Sequence, residues 1–177
     1  MKYVSTRGGG RVYSFEEALF SGFLEDGGII IPQEIPKISE DTLKKWSSLK
    51  FQDLALEIMM LYITPEEVNE TELTGALAAS NTCLERLCYV IVFIFLEIVS
   101  GAFSRFTHTD VVHLKQLKDE LNILELFHGP SLAFKDLALS VVGRLYSHFL
   151  ARRRRHVSVL IGQLKAIVKR SKYTAYT

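Results

Sequence analysis

A chain of 177 residues has room for one domain with a sizeable core, or for a domain and part of another. Hydrophobic residues make up 48% of it and charged ones 23%, a globular balance that excludes wholesale disorder. The net charge of +1 supplies no overall field for nucleic acid or a membrane surface, and two cysteines are too few for a disulfide framework.

The opening MKYVSTRGGGRVYSFEE holds no apolar core of the kind a signal peptide carries, so a reduced, cytoplasmic setting is expected. Gly8 to Gly10 form a surface turn or, alternatively, an anion cradle. Ser14 with Glu17 makes a capping box, and Phe15, Ala18 and Leu19 supply the apolar side of a short helix that Gly22 ends. In EDGGIIIP, the Asp26-Gly27-Gly28 turn feeds a β-branched strand closed by Pro32. Helical spacing resumes at Leu43 and Trp46. It continues as a stripe of Phe51, Leu54, Ala55, Ile58, Met59 and Tyr62, expected to face the core. Thr64, Pro65 and Glu67 then form a helix start.

Between Gly75 and Ser100 the character changes: GALAAS gives way to NTCLERLCYVIVFIFLEIVS, with no polar alternation. The run Leu87 to Leu96 is shorter than the roughly 20 apolar residues a membrane span needs, so a buried strand or helix is expected. Order returns with LNILELF (Leu121 to Phe127), which reads as a buried strand. Gly129 and Pro130 turn the chain, with Ser131 as the expected N-cap. Phe134, Leu137, Ala138, Val141, Val142, Leu145 and Phe149 follow at helical spacing, and Arg152 to Arg155 place cations at the helix end. A solvated helix end explains these arginines better than a nucleic-acid patch does. VSVLI (Val157 to Ile161) is a second strand, so a βαβ unit with a parallel sheet is expected. The last residues, Gly162 to Thr177, make a basic tail.

Chemistry concentrates at one residue. Lys135 stands where a helix begins, after the apolar Leu132, Ala133 and Phe134. The helix N-terminus is partly positive and burial disfavours an ammonium, so both effects favour a neutral, nucleophilic amine. Such an amine forms Schiff bases with carbonyl compounds or pyridoxal phosphate, and the same helix end can hold a phosphate. The plainer reading is a first-turn lysine reaching solvent, with Asp136 complementing the dipole. His108 and His113 do not share a helix face and lack a carboxylate cluster, so no metal site is expected.

HGPSLAFKD (His128 to Asp136), following LELF, resembles the pyridoxal-phosphate lysine motif of the threonine synthase family. YVSTRG (Tyr3 to Gly8), FEEALFSGF (Phe15 to Phe23) and DGGIIIP (Asp26 to Pro32) agree in order. AFSRF and VVHL, within Ala102 to Leu114, are most similar to the animal threonine synthase-like proteins. The resemblance implies an α/β fold: a helical N-terminal region plus the first βαβ of a fold type II pyridoxal-phosphate-dependent domain. It divides the chain into a family N-terminal region (1–74), an atypical hydrophobic insertion (75–100), the start of the catalytic domain (101–161) and a divergent basic tail (162–177). It implies pyridoxal 5'-phosphate as cofactor, with Lys135 as both the Schiff-base and the catalytic residue. The implied partner is a phosphorylated amino-acid substrate, with no nucleic acid and no membrane. Threonine synthases eliminate phosphate and add water; their animal relatives resemble phospho-lyases that leave a keto acid and ammonia, and these residues do not separate the two.

Two departures qualify the expectation. In the family, the strand corresponding to VSVLIG runs into a threonine-serine-glycine-aspartate-threonine-glycine loop beside the cofactor, whereas here Gly162 meets Gln163 and the sequence stops at Thr177. The stretch between ETEL and AFSRF, a short helix in relatives, carries the hydrophobic insertion. Both resemble an alternative transcript or a gene-model error. Weak cofactor binding and no turnover are therefore expected of this chain. The rival expectation is a non-catalytic short isoform acting through an interaction surface, cytoplasmic or secreted without a signal peptide.

Overall fold

The computed structural model describes residues 1–64, 67 and 81–158, with the side chains of 81–91 left aside. Pro65, the first residues of the hydrophobic segment, most of the VSVLI stretch and the basic tail lie outside the described residues. The chain divides into two units, Met1–Gly101 and Ala102–Thr177.

The first unit starts with a three-stranded antiparallel sheet. Strand β1 (Tyr3–Ser5) lies between β2 (Val12–Tyr13) and β3 (Ile30–Pro32), with Tyr3 opposite both Tyr13 and Pro32. Pro32 ends its strand, where its missing N–H costs no ladder bond. The turn into β3 is built as its residues predict: Gly27 takes φ +73°, and Gly28 donates its N–H to Asp26 Oδ1 at 2.8 Å. Ser5 Oγ donates to Asp26 Oδ2 at 2.7 Å. A Cβ on Gly28 would stand 2.2 Å from that Ser5 oxygen, so only glycine fits there. The Ser5 hydroxyl and the Gly28 amide hold the Asp26 carboxyl below its ordinary value. Gly8, Gly9 and Gly10 all have positive φ and are exposed; the group nearest Gly9 is the Asp26 carboxylate, the wrong sign for an anion cradle.

Helix α1 (Phe15–Phe20) has the expected capping box: Ser14 Oγ accepts from the Glu17 amide at 3.2 Å, and Glu17 Oε2 accepts from the Ser14 amide at 2.9 Å. Helix α2 (Glu40–Trp46) is capped by Ser39. In α3 (Phe51–Tyr62) the expected stripe is corrected. The buried residue is Leu56, with Ile63 just beyond the helix, while Ile58 is exposed. Apolar residues occur nearly all round this helix, so periodicity alone cannot choose its inner face. The Thr64 amide and hydroxyl both donate to Glu67 Oε2, while the Glu67 amide donates to the Thr64 carbonyl rather than to its side chain, so only half of the expected capping box forms. Glu67 Oε1 also accepts from the Phe15 amide at 2.7 Å, which ties α1 to the end of α3. Tyr3 Oη donates to the Tyr62 carbonyl at 2.7 Å; burial, then the Glu67 charge, pushes its phenol up to about 12.

The hydrophobic stretch forms a helix, α4 (Asn81–Phe103), with Phe95, Ile98, Val99, Ala102 and Phe103 buried and Phe93 exposed. Among the described residues, no helix is long and apolar enough to cross a membrane.

In the second unit, β4 (His113–Lys118) and β5 (Leu121–Glu125) form an antiparallel hairpin with Leu114 opposite Leu124. Helix α5 (Lys135–Arg153) follows. The strand–helix order therefore holds; the described partner of β5 is the preceding strand, and most of the expected second strand lies outside the described residues. Strand β5 is also exposed rather than buried along Leu121 to Leu124. Leu145 and Phe149 anchor α5, whereas Phe134 and Ala138 at its start are exposed, so the expected stripe is covered only in its later half. Arg152 and Arg153 occupy the last turn, as the charge pattern predicts, and Arg154 closes it in the left-handed conformation.

Candidate functional site

Lys135 is the first residue of α5, a helix of 19 residues. Its position at a helix start is as expected, but the burial expected for its ammonium is not found. Lys135 is exposed, with Nζ 5.5 Å from the centroid of the Phe134 ring. Its charge therefore rests against an aromatic face and solvent.

The loop before the helix is braced in an unexpected way. Ser131 is not the N-cap. The capping position falls on Phe134, which offers no side-chain bond. Instead Asp136 reaches back from the first turn. Its Oδ2 accepts from the Ser131 amide at 2.7 Å and its Oδ1 from the Ser131 hydroxyl at 2.7 Å. A carboxylate in the first turn also complements the helix dipole. Gly129 is buried against this brace: a Cβ there would lie 2.5 Å from both Asp136 Cβ and Oδ2. Leu132, between them, holds φ +60°, a costly conformation for a leucine that the surrounding bonds enforce. The sequence GPSLAFKD thus encodes a tight loop closed on itself around Asp136, with Lys135 projecting from its rim.

The loop is also held from behind. The carbonyl of His128 accepts from the Thr107 amide at 3.1 Å and from Thr107 Oγ1 at 3.2 Å. His128 Nε2 pairs with Glu125 Oε2 at 2.9 Å, both side chains largely shielded. The His108 ring packs at a tilt against His128 and also against His113, each at 4.7 Å between ring centroids. The two histidines that share no helix face are brought together by a loop, with Asp110 beside both. Among the functional groups, the Asp136 brace, the Glu125–His128 pair and the His108–Asp110–His113 group were not legible in the sequence. An aspartate directly after the lysine was the only signal for any of them.

The chain can be set beside known proteins. The family described as Threonine synthase N terminus matches residues 2–81. Threonine synthase-like 2 of Xenopus laevis is 41% identical over 161 residues, covering 91% of this chain and 29% of that protein. The crystal structure of threonine synthase from yeast superposes with a TM-score of 0.70 at 39% identity, covering 86% of this chain and 27% of that one. PLP-bound threonine synthase from Brucella melitensis gives 0.66 at 32% identity, covering 87% and 28%. The chain therefore spans less than a third of the length of the relatives it matches. With sequence identity carried through both described units and a matching fold in solved threonine synthases, the chain belongs to the threonine synthase family.

Proposed function

We propose that this chain carries the cofactor-lysine segment of a pyridoxal-phosphate-dependent phospho-lyase, an enzyme type that eliminates phosphate from O-phosphorylated hydroxy amino acids and leaves a keto acid and ammonia. Residues 1–74 are the family's N-terminal region and 101–161 the start of its catalytic domain, with 75–100 an insertion and 162–177 a divergent tail. The observation that carries the reading is Lys135 at the first position of a long helix, projecting from a loop that Asp136 and Gly129 hold rigid.

The residues fit the group in one respect. A reachable primary amine on a fixed backbone is what an aldehyde cofactor requires for attachment. When bound, the cofactor supplies an electron sink for elimination. The chain's own part is to hold Nζ in place through the Asp136 brace and to move a proton at that nitrogen. Because Lys135 is exposed, water is not excluded from the amine. Attachment to this chain is accordingly weak and turnover absent.

The test is absorbance of the intact chain with pyridoxal phosphate, followed by borohydride trapping and peptide mapping. The reading expects the reduced adduct on Lys135 and its loss in Lys135→Ala. An adduct scattered over other lysines, unaffected by that substitution, would overturn it. A second reading, a non-catalytic interaction protein, draws on the exposed Leu114, Leu124, Phe127 and Phe134 of the second unit. A reduced adduct confined to Lys135 counts against it, and partner binding that Lys135→Ala retains would support it.

A further inference from the structure

We propose that His108, Asp110 and His113 form a binding site for one divalent transition-metal ion of the zinc class. The three side chains each present one ligand atom, and these atoms all lie within 4.8 Å of one another. His113 Nδ1 stands 3.6 Å from Asp110 Oδ2, and His108 Nδ1 stands 3.9 Å from the same oxygen. A tetrahedral ion with bonds of about 2.0–2.1 Å needs its ligands about 3.3–3.5 Å apart. The two histidine–carboxylate gaps close by a few tenths of an ångström, and the histidine nitrogens, within 4.8 Å of one another, close by up to about 1.5 Å on side-chain rotation.

The local chain is shaped for this convergence. The Val112 amide donates to the Asp110 carbonyl at 2.5 Å across Val111, which holds φ +60° and is buried. This three-residue turn is a rare conformation for a β-branched residue. It folds His113 back beside His108, five positions earlier, until the tilted rings touch. The Asp110 amide donates to His108 Nδ1 at 3.2 Å, so that nitrogen carries a lone pair and no proton. Metal binding replaces this long contact with a coordinate bond. Both histidines are about one-third exposed, so an ion can reach them from solvent.

Two imidazoles and one carboxylate are a borderline donor set, suited to zinc, cobalt, nickel or copper rather than magnesium or calcium. The fourth position is open to water. Behind the site, the His128 ring packs at a tilt against His108 and is itself fixed by Glu125, giving one ligand ring a backing. The site does not depend on whether Lys135 holds a cofactor.

The experiment titrates the intact, metal-free, reduced chain with Zn²⁺ by calorimetry and with Co²⁺ by visible absorption. One ion per chain is expected, with His108→Ala and His113→Ala each weakening binding by at least about tenfold. Asp110→Asn weakens it too, while Cys83→Ser with Cys88→Ser, and His156→Ala, leave it unchanged. Absence of stoichiometric binding overturns the proposal. So does binding that survives in the His108→Ala, His113→Ala double variant, or Co²⁺ bands of thiolate type that the cysteine substitutions abolish. Should those histidine variants not fold, the imidazole resonances of the unaltered chain decide: one equivalent of Zn²⁺ must shift His108 and His113, and shifts confined to His148 and His156 would refute the site.

Discussion

Replacing Gly129 with alanine is the most searching perturbation of the lysine loop. The new Cβ would lie 2.5 Å from Asp136 Cβ, 2.5 Å from Oδ2 and 2.9 Å from Cγ, where carbon atoms normally approach to about 3.5–4.0 Å. Rotating Asp136 relieves the oxygen contact but breaks its two 2.7 Å bonds to Ser131. It cannot relieve the Cβ contact, because that atom is fixed to the helix backbone. The overlap costs about 1–3 kcal/mol. The two bonds, at an exposed site, add about 1 kcal/mol together. Gly129→Ala should therefore destabilise by about 2–4 kcal/mol, and Asp136→Ala, which removes only the bonds and the dipole charge, by about 1–2 kcal/mol. Urea unfolding of the intact chain, followed by circular dichroism, measures both. Amide exchange at Ser131 reports the brace directly and should speed up in each variant. A Gly129→Ala cost below about 0.5 kcal/mol, or one smaller than that of Asp136→Ala, would refute the close approach.

Phe149 is fully buried and Phe134 is 61% exposed; Phe149→Ala should cost about 3–5 kcal/mol and Phe134→Ala less than about 0.5 kcal/mol, and equal effects in the same melts would contradict the anchoring of α5 by its later half. Tyr3 rises from 10.0 unfolded to about 12 folded, so its folded state retains the proton and its stabilisation is complete below pH 10 and disappears as pH rises to 12. That loss amounts to about 1–2 kcal/mol; tyrosinate absorbance and alkaline melts should show it in the parent chain and not in Tyr3→Phe. Glu17 is held below its ordinary value, first by the Ser14 amide, so its contribution is present above that ordinary value and is lost as pH falls through the lowered one. Ser14→Ala should cost about 1 kcal/mol at neutral pH, and an acid melt unchanged by Glu17→Gln would argue against the box.

Much of the local architecture could be read from neighbouring residues. The Ser14–Glu17 box, the Thr64–Glu67 pair, the Asp26-Gly27-Gly28 turn and the arginines at the end of α5 all form within five residues. Their hydrogen bonds and dipole interactions need no distant partner, so composition and order suffice. The placement of Lys135 at a helix start was legible for the same reason. Ser131 was misread because two residues compete to satisfy the same loop, and Asp136 reaches its amide from inside the helix.

What sequence by itself determined about this protein is therefore its caps, its turns, the position of its lysine and, through ordered motifs, its family. Only the tertiary structure decided that Leu56 rather than the expected stripe is the buried residue of α3, since an all-round apolar helix has no preferred face until something packs on it. The partner of β5 was likewise decided by pairing: a strand's own residues specify its alternation, whereas its neighbour depends on which edge the chain returns to. The meeting of His108, Asp110 and His113 hangs on one backbone angle at Val111, which a β-branched residue adopts only when its surroundings compel it. The exposure of Lys135 belongs with these, because a charge is buried or solvated by the segments laid over it and not by its own place in the chain.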